Sequence, residues 1–245
     1  MRFSRNITLA IQFLLDECLP PVVRDTRWFM WLPFKILFGS KAKFFFNFKE
    51  IAPTLDPEEF SRIYAETANV HIKRHTDINV ACLKRLMVDI IGVKVLDIGC
   101  GRGYLAGLLA ERGWQVTGAD IHIAEEVRSR YPKVFFQQTN IENLCDFKDA
   151  SFDTVICAHT LEHVQNLIAA IKELRRVAAK KLIIIVPKQR NYRYTFDLHL
   201  RFFTYPHDLL RIMAKPGIHQ SCEVVGGDLY YIEEYAPSTE KLAKE

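Results

Sequence analysis

The sequence has no pair of cysteines in C-x-x-C spacing, and its six cysteines are scattered along 245 residues. It also has no cluster of histidine, aspartate and glutamate with the spacing of metal ligands. Several cysteines fall within apolar runs, where a free thiol packs as a small hydrophobic group. These absences argue against a disulfide framework or a zinc site. We expect no bound metal and a reducing, cytoplasmic environment.

No apolar run approaches the length of about 20 residues that a bilayer-spanning helix needs. Residues 7–15 resemble the apolar part of a secretory signal, but Thr8, Gln12 and Asp16 interrupt the pattern and no small-residue cleavage site follows. Because these polar residues are four apart, they form one narrow stripe on an otherwise apolar helix. We expect this helix to be mostly buried, with a signal or an anchor as the alternative.

The body of the chain has no excess of either charge. Residues 1–50 contain eight lysines and arginines and four acidic residues, whereas the remainder contains 25 of each. A nucleic-acid-binding domain would carry a basic face on its body, so we expect no nucleic-acid partner. With 49% hydrophobic residues, the chain can bury a full core and form one domain with an appendage.

The appendage is an N-terminal segment, residues 1–55, in which aromatic and basic residues alternate over positions 28–48. One interpretation is a helical cap or lid packed on the rest of the chain. The other is a segment at a membrane interface or at the mouth of a site for a lipid-like substrate. Peripheral membrane contact through residues 1–50 therefore stays open.

Residues 56–92 are interpreted as two linking helices. Asp56 and Pro57 predict a helix start, and this helix is expected to run to about Lys73. Thr76 or Asp77 is expected to cap a second helix over residues 79–91. The apolar stripe of that helix should contain Val80, Leu83, Leu86, Met87 and Ile90. The polar residues between the helices either form one wall of a ligand site or act as caps and surface contacts; they are His71, Arg74, His75, Thr76, Asp77 and Asn79.

Strand and helix patterns alternate between residues 93 and 186. Strands are predicted at 93–98, 115–119, 134–137, 152–157 and 181–186. Helices are predicted at 105–110, 124–130 and 166–179, the last burying Leu167, Ile168, Ile171, Leu174 and Val177. Two further strands, 221–225 and 229–233, should form an antiparallel hairpin through Gly226 and Gly227, followed by a polar tail at 236–245. This order predicts an α/β fold with a doubly wound, largely parallel sheet.

A glycine-rich turn separates the first strand from the first helix: Asp97-Ile98-Gly99-Cys100-Gly101-Arg102-Gly103. Glycines let the backbone approach a ligand, and the start of a helix offers unpaired N–H groups. The dinucleotide spacing G-x-G-x-x-G is absent. Asp97 places a carboxylate at the end of the strand, which suits a cationic ligand better than a pyrophosphate.

Three segments together resemble the class I S-adenosylmethionine-dependent methyltransferases, and in particular the branch of quinone, sterol and many small-molecule enzymes. Val95–Gly103 matches the first motif of that family along its whole length. Ser151–Val155, followed by Leu161–His163, matches the strand and turn that follow the adenine site, and Asp120 ends the second strand. The resemblance covers residues 77–235. It implies a Rossmann-like seven-stranded sheet, mostly parallel with a C-terminal antiparallel hairpin. The N-terminal helical cap, inferred separately from residues 1–55, would be added to this sheet. The methyltransferase domain would be residues 93–235, with a substrate-side insertion at 187–214.

The resemblance also implies S-adenosylmethionine as cofactor. Asp97, Gly99 and Gly101 would hold its methionine end, Asp120 would take the ribose hydroxyls, and Ile121 would lie against adenine. Asn140 stands where the family often has an aspartate that contacts the adenine amino group. His159 would face the methyl sulfonium. The predicted cofactor-binding residues are Asp97, Gly99, Cys100, Gly101, Asp120, Ile121, Asn140, Ile141 and His159.

Methyl transfer to a hydroxyl oxygen benefits from a base with a pKa near neutrality, and histidine is the natural choice. His199, in the insertion, is the first candidate, His159 is the second, and Asp197 or His207 would serve as relays. A packing role for His199 between aromatic rings is the alternative. Val186-Pro187-Lys188 stands where an enzyme that methylates DNA amino groups would carry an Asn/Asp-Pro-Pro-Tyr/Phe signature.

The sequence therefore predicts a methyltransferase acting on a small-molecule acceptor, with the methyl group going to an oxygen of a lipid-like or saccharide-linked substrate. Two alternatives remain: a nicotinamide-dependent oxidoreductase on the same fold, and a catalytically silent S-adenosylmethionine-binding module that tethers a membrane-associated assembly.

Overall fold

The computed structural model describes residues 13–14, 18–68, 76–191 and 193–235. Most of the predicted helix at 7–15, the polar residues 71–75 and the tail 236–245 lie outside these ranges. The chain divides into two compact units. The first, called the aromatic unit here, comprises residues 1–74 and 189–204. The second, the sheet unit, comprises residues 75–188 and 205–245.

Four helices form most of the aromatic unit: α1 (Pro21–Arg24), α2 (Arg27–Phe38), α3 (Ala42–Ile51) and α4 (Pro57–Ala68). Short 3-10 turns at Gly39–Lys41 and Ala52–Thr54 join α2, α3 and the segment before α4. The predicted start of α4 is confirmed, since Asp56 Oδ1 accepts a hydrogen bond of 2.8 Å from the Glu59 N–H and Pro57 occupies the first position.

Stacked aromatic rings form the core of this unit. The rings of Phe38 and Phe45 lie 4.2 Å apart and nearly parallel, and those of Phe46 and Tyr194 lie 4.1 Å apart. Phe34 packs on Phe196 with ring centroids 4.7 Å apart. Five phenylalanines of the N-terminal segment are therefore buried in a core that they share with Tyr194 and Leu198; they are Phe34, Phe38, Phe45, Phe46 and Phe48.

The sheet unit contains seven strands in the order β3-β2-β1-β4-β5-β7-β6. Strands β1 to β5 are parallel neighbours along this order, and β7 pairs antiparallel with both β5 and β6. The strands are β1 (Lys94–Ile98), β2 (Gln115–Asp120), β3 (Phe135–Gln138), β4 (Phe152–Ala158), β5 (Ala178–Pro187), β6 (His219–Val225) and β7 (Asp228–Glu234). The helices are α5 (Val80–Asp89), α6 (Tyr104–Glu111), α7 (Glu125–Arg130), α8 (Leu167–Val177) and α9 (Pro206–Ile212). The predicted doubly wound sheet and its antiparallel hairpin are confirmed.

Two details of the predicted helices are wrong. Ile168 is 81% exposed, because the buried stripe of α8 runs through Ala170, Ile171, Leu174 and Val177 and leaves Ile168 to one side. The helix also ends at Val177 rather than at residue 179, since β5 begins at Ala178.

The cap of α5 also differs from the prediction. Asn79, not Thr76 or Asp77, is the N-cap: its backbone is extended and its Oδ1 accepts a 2.8 Å hydrogen bond from the Cys82 N–H. Val80 follows the cap and is 69% exposed, so it does not belong to the predicted stripe. Leu86 and Ile90 are buried as predicted, and Cys82, which the prediction left out, is buried with them.

A fully buried carboxylate, Glu233, holds the hairpin to α8. Its two oxygens accept a bidentate pair of hydrogen bonds from Arg175, at 2.9 and 2.8 Å, and further bonds from the hydroxyls of Tyr231 and Tyr235. Burial acts to raise the pKa of Glu233, but these donors outweigh it and leave the pKa lowered. The Arg175 guanidinium also donates to the Met213 carbonyl oxygen at the end of α9.

No helix within the described residues is both long enough and apolar enough to cross a membrane.

Candidate cofactor site

The candidate site lies where the strand order reverses. β1 lies between β2 and β4 and is parallel to both, so the carboxyl ends of these three strands meet at one edge of the sheet. In open α/β sheets, ligands bind at this edge and at this reversal. Asp97 lies near the end of β1, and the glycine turn follows that strand. Asp120 ends β2, and His159 follows β4. The sheet therefore brings together residues that are 62 positions apart in the sequence.

The turn after β1 is held by the end of β2. The N–H groups of Gly99 and Cys100 both donate to the Ala119 carbonyl oxygen, at 2.7 and 3.1 Å. Gly99, Gly101 and Gly103 all have a positive φ, a conformation that favours glycine. The turn then enters α6, whose first N–H groups are aimed at the same edge.

Gly99 and Gly101 differ in what surrounds them. A Cβ on Gly99 would overlap the side chain of Thr160, which follows His159. A Cβ on Gly101 would meet no atom within 4 Å in the part of the chain that the structure describes. Gly99 is therefore needed for packing inside the protein, whereas the space beside Gly101 is open to a ligand.

Asp97 is a buried carboxylate, 3% exposed, at the second-last position of β1. Its Oδ2 atom has no hydrogen-bond partner among the described residues. Burial and the nearby charge of Asp120 raise the pKa of Asp97 to about 7, although a hydrogen bond from the Ala106 backbone opposes the shift. A buried, unpartnered carboxylate oxygen is costly unless a ligand completes its hydrogen bonds.

Asp120 closes the other side of the turn. Its Oδ2 accepts a 2.8 Å hydrogen bond from the Gly101 N–H, and its Oδ1 accepts one of 3.2 Å from the His122 N–H. Burial nevertheless leaves the pKa of Asp120 raised above its usual value. Each carboxylate oxygen has a second lone pair, so the side chain can still accept from a ligand hydroxyl. Ile121, next in sequence, is partly exposed at this edge.

The loop after β3 is anchored to α8. The Asn140 Oδ1 accepts a 2.9 Å hydrogen bond from the Glu142 N–H, and Glu142 Oε1 accepts from the N–H groups of Gln165 and Asn166 at the start of the helix. Arg176 donates 2.7 and 2.8 Å bonds to the carbonyl oxygens of residues 144 and 147. The loop that carries Asn140 is therefore fixed at both ends.

Two of the predicted cofactor residues are mainly buried. Cys100 is 9% exposed, and its sulfur packs against Gly118 of β2. Burial raises the pKa of its thiol far above the usual value, so Cys100 remains protonated. Ile141 is 8% exposed within the anchored loop. Their contact with a cofactor stays a prediction.

His159 lies between two acids. Its backbone φ is +50°, its Nδ1 lies 3.6 Å from Glu162 Oε1 and its Nε2 lies 3.4 Å from Asp228 Oδ2. Burial acts to lower the pKa of His159, but the two carboxylates outweigh this and raise it to about 10. The ring is therefore a cation near neutral pH and cannot accept a proton from an acceptor there.

Sequence reasoning missed Asp228, which lies beside His159, and the contact that Asn79 makes with it. Asn79 donates to Asp228 Oδ2 at 2.7 Å and to the Val225 carbonyl oxygen at 3.0 Å, so α5 is tied to the hairpin beside His159. Asn79 is thus a buried structural contact, which answers the question left open for this position. Its helix-capping pattern was visible in the sequence, but its partner 149 positions away was not.

His199 belongs to the aromatic unit and is held there by two neighbours. Its Nδ1 lies 2.6 Å from Gln189 Oε1 and 3.3 Å from Asp197 Oδ2. The Gln189 Nε2 donates to the same Asp197 oxygen at 3.1 Å, which turns the Gln189 carbonyl toward the ring. Nδ1 therefore carries the hydrogen of the neutral ring. Gln189 was not singled out from the sequence, whereas Asp197 was.

His207, the other predicted relay, is exposed in the first turn of α9. Its ring stacks on Tyr205 with centroids 5.3 Å apart, and its Nε2 lies 3.5 Å from Asp208.

Comparison with known proteins agrees with this geometry. Residues 96–186 match a family model described as a methyltransferase domain. The ubiquinone biosynthesis O-methyltransferase of Idiomarina loihiensis is 39% identical over 111 residues, which are 41% of this chain and 40% of that protein. The protein of the same name from Paracidovorax citrulli is 34% identical over 93 residues, 35% of this chain and 39% of that protein. The chain thus spans about two fifths of the length of these curated relatives.

Solved structures show the same fold at low identity. An S-adenosylmethionine-dependent methyltransferase from Archaeoglobus fulgidus has a TM-score of 0.53 at 20% identity, covering 62% of this chain and 91% of that one. A 1,6-didemethyltoxoflavin N1-methyltransferase from Burkholderia thailandensis, solved with S-adenosylhomocysteine, has the same TM-score and identity and covers 73% of this chain and 86% of that one. Residues 96–186 thus match a methyltransferase domain, and the fold is shared with S-adenosylmethionine-dependent methyltransferases of solved structure. The cofactor of this class is S-adenosylmethionine.

The residues present fit that cofactor. Asp97 offers a buried carboxylate oxygen that no residue within the described ranges hydrogen-bonds, and the methionine end of the cofactor carries an ammonium group that such an oxygen binds well. Gly101 leaves space for the ligand beside the backbone. Asp120 presents carboxylate oxygens at the end of β2, where this type of fold binds a ribose diol.

Proposed function

We propose that this protein is an S-adenosylmethionine-dependent methyltransferase that methylates an oxygen atom of a small-molecule acceptor. The observation that carries the proposal is the unpartnered oxygen of Asp97 at the reversal of the sheet, beside the open space at Gly101. A nicotinamide dinucleotide would place its pyrophosphate at this turn, where a buried carboxylate repels it.

In this proposal, the protein contributes mainly positioning. The bound cofactor would supply a methyl group on a sulfonium, whose carbon an oxygen nucleophile can attack, forming a C–O bond as the C–S bond breaks and the neutral thioether leaves. Asp97 binds the ammonium at one end, and Asp120 binds the ribose hydroxyls. The paired carboxylates of Glu162 and Asp228 hold His159 and hence the segment after β4. A fixed site of this kind can supply much of the rate enhancement by orientation alone.

His199 is the proposed general base. Its Nδ1–H is directed to Gln189, so Nε2 is the atom that would take the proton of the acceptor hydroxyl. The arrangement follows the common logic in which a third group orients the base. His159 is not proposed as a base, because its two acidic neighbours keep it protonated.

The acceptor class rests on two supports. The curated relatives are named ubiquinone biosynthesis O-methyltransferases, which favours an oxygen of a lipid-like molecule. The aromatic core of the aromatic unit includes Tyr194 and Leu198, which lie within the predicted substrate-side insertion 187–214. A saccharide-linked acceptor is the alternative, and the assay below separates the two.

The cofactor is tested by calorimetric titration of the full chain with S-adenosylmethionine and, separately, with NAD. We expect heat of binding with the first and none with the second. Saturable binding of NAD without binding of S-adenosylmethionine would overturn the proposal. Binding of both ligands would show that the glycine turn does not discriminate against NAD, contrary to the role argued for Asp97.

The reaction is tested by following a labelled methyl group from the cofactor into cell extract separated into lipid, saccharide and protein fractions. We expect label in the lipid fraction, and base-stable label, since an ether resists mild alkali. His199→Gln should keep cofactor affinity and lower turnover by about 100-fold or more, the usual contribution of general-base catalysis. Unchanged turnover in this variant would remove His199 as the base.

A further inference from the structure

Helix α2 carries apolar side chains on two opposite faces. Met30, Phe34 and Phe38 are on one face and are buried in the aromatic core. Trp28, Trp31, Leu32 and Ile36 are spaced at three and four residues and lie on the other face. A helix at the surface of a water-soluble domain normally places polar residues there. We call these four residues the outer face of α2.

The outer face is exposed to a degree that is unusual for such residues. The exposed fractions are 78% for Trp28, 63% for Leu32, 60% for Ile36 and 40% for Trp31. Trp31 is partly held by an edge-to-face contact with Phe46, at 5.4 Å. A contiguous apolar stripe of this kind marks an interaction surface, whereas single exposed apolar residues do not.

The stretch of sequence that carries the outer face has charges of one sign. From Thr26 to Lys49 the chain contains five basic residues and no acidic residue. Four of them are exposed, namely Arg27, Lys35, Lys41 and Lys43. Lys35 belongs to the same stretch of the helix, between Leu32 and Ile36 in sequence. Partners with an anionic surface are therefore favoured, and an apolar partner without charge would leave these cations unmatched.

We propose that the outer face of α2 docks on an anionic lipid bilayer, with α2 lying in the plane of the interface. Tryptophan is enriched at the level of lipid headgroups, and amphipathic helices with lysine and arginine beside an apolar face bind there. The long side chains of Lys35 and Arg27 can reach the headgroups while their methylene chains cover apolar surface.

This proposal does not depend on the proposed reaction. A binding surface on α2 would act whether or not the sheet unit transfers a methyl group. The two can fail separately, because cofactor binding is measured in solution without lipid. If both hold, the protein would meet a lipid-like acceptor at the surface where that acceptor is concentrated.

Co-sedimentation of the full chain with vesicles tests the proposal. We expect binding to vesicles that contain phosphatidylglycerol, and much weaker binding to vesicles of phosphatidylcholine alone. Trp28→Ser combined with Leu32→Ser should lower the partition coefficient by at least tenfold. Lys35→Glu should lower binding to the anionic vesicles by about fivefold or more, since each basic residue near such a surface contributes about that factor. Raising the salt concentration should weaken binding of the wild type.

Matched controls lie in the sheet unit. Val80→Ser combined with Ile168→Ser removes two apolar side chains that are 69% and 81% exposed, and Lys84→Glu reverses one exposed charge. These controls should bind vesicles like the wild type. Equal loss of binding in the controls would show nonspecific adsorption and would overturn the proposal, as would wild-type protein that stays in the supernatant with phosphatidylglycerol vesicles. Thermal unfolding of each variant verifies that it is folded.

Tryptophan fluorescence gives a second, direct test. The chain has three tryptophans, and Trp31→Phe with Trp114→Phe leaves Trp28 as the only reporter. We expect a blue shift of its emission and quenching by brominated acyl chains when vesicles are added. Emission of Trp28 that does not change when vesicles are added would overturn the proposal. So would a wild-type dimer in size-exclusion chromatography that Trp28→Ser with Leu32→Ser makes monomeric, because a second copy would then cover the outer face.

Discussion

Asp97 and Glu233 are both buried carboxylates of the sheet unit, yet their surroundings are opposite. Glu233 is completely buried and accepts hydrogen bonds from Arg175, Tyr231 and Tyr235, so its pKa is lowered. Asp97 is 3% exposed, one of its oxygens has no partner among the described residues, and its pKa is raised to about 7. The carboxylate of Glu233 therefore has its hydrogen bonds made by the protein, whereas that of Asp97 has one oxygen left for a ligand.

This difference indicates that Glu233 stabilises the fold, whereas Asp97 is available to bind a ligand. A buried ion pair with all its hydrogen bonds made adds nothing for a ligand to complete. A buried carboxylate with an unpartnered oxygen costs stability unless it serves binding, which is why strongly shifted pKa values tend to mark functional sites. The four predictions below test this division, beginning with the largest expected effect.

Breaking the Glu233 pair should cost the most stability. Arg175→Met leaves a buried carboxylate without its cation, and we expect the free energy of unfolding to fall by about 3 to 5 kcal/mol. Urea unfolding measures this. Cofactor affinity of the remaining folded protein should be unchanged. Arg211→Met is the matched control, because the side chain of Arg211 is 73% exposed and its ion pair with Asp208 should contribute less than about 1 kcal/mol. A loss below that of the control would contradict the scaffold role.

The two glycines of the turn should respond differently to the same substitution. Gly99→Ala pushes a methyl group into Thr160, and we expect a loss of about 2 to 4 kcal/mol from overpacking and backbone strain together. Gly101→Ala suffers only the strain, about 1 to 2 kcal/mol. Its methyl group occupies ligand space, so cofactor affinity should fall although the fold is kept. Urea unfolding and calorimetric titration of both variants check this. Similar profiles for the two variants would contradict the distinction.

Asp97→Asn should weaken cofactor binding without weakening the fold. We expect affinity for S-adenosylmethionine to fall by about 10- to 100-fold, the range for losing a hydrogen bond to a charged group. The free energy of unfolding at neutral pH should stay the same or rise, because an uncompensated buried charge is removed. Calorimetric titration and urea unfolding measure the two quantities. Glu233→Gln provides the contrast, since it should lower stability and leave affinity intact.

The last expectation is a pair of pH dependences with opposite signs. The raised pKa of Asp97 means that the folded protein holds this proton more tightly than the unfolded chain. Its ionisation therefore lowers cofactor-free stability as pH rises from the ordinary value of 3.8 toward about 7. The lowered pKa of Glu233 works the other way: its contribution is present above 4.5 and is lost as pH falls through the lower folded-state pKa.

The pH dependence of cofactor affinity should be determined by the ionisation of Asp97 alone. Below pH of about 7, binding of a cation requires Asp97 to release a proton, so affinity should fall by up to tenfold for each pH unit and level off above that value. Titrations in buffers of different ionisation enthalpy detect the released proton. Asp97→Asn should show a flat profile over this range, and a persistent slope would assign the proton to another group.

The sequence predicted most of the sheet because the signals were local. The apolar strand, the glycine turn and the helix that follow one another from Lys94 to Glu111 are visible in one short stretch. Asn166 capped its helix as the pattern indicated. Helix ends were less certain: Ile168 lies in the first turn of α8, where spacing alone does not determine which side faces the core.

Contacts between distant segments could not be predicted. Nothing near Gly99 indicates that Thr160 is the side chain it must accommodate, and nothing near Asn79 indicates Asp228. The pairing of residues 189–204 with the N-terminal helices has the same origin, because aromatic rings such as Phe46 and Tyr194 find one another only in the folded chain. For the same reason, the sequence could propose His159 as a base without revealing the two acids that keep it protonated.

The excursion of the chain from residue 189 to 204 is closed at its base. The Gln189 N–H donates to the Phe203 carbonyl oxygen at 3.0 Å, and the Thr204 hydroxyl donates to the Gln189 carbonyl oxygen at 3.2 Å. Its two ends are therefore neighbours, whatever lies between them. Insertions or deletions that keep the core contacts of Tyr194 and Phe196 alter only a small closure entropy, about 0.6 kcal/mol for each doubling of length. Evolution could thus change the remaining residues of this segment while the seven-stranded sheet and its glycine turn are inherited intact.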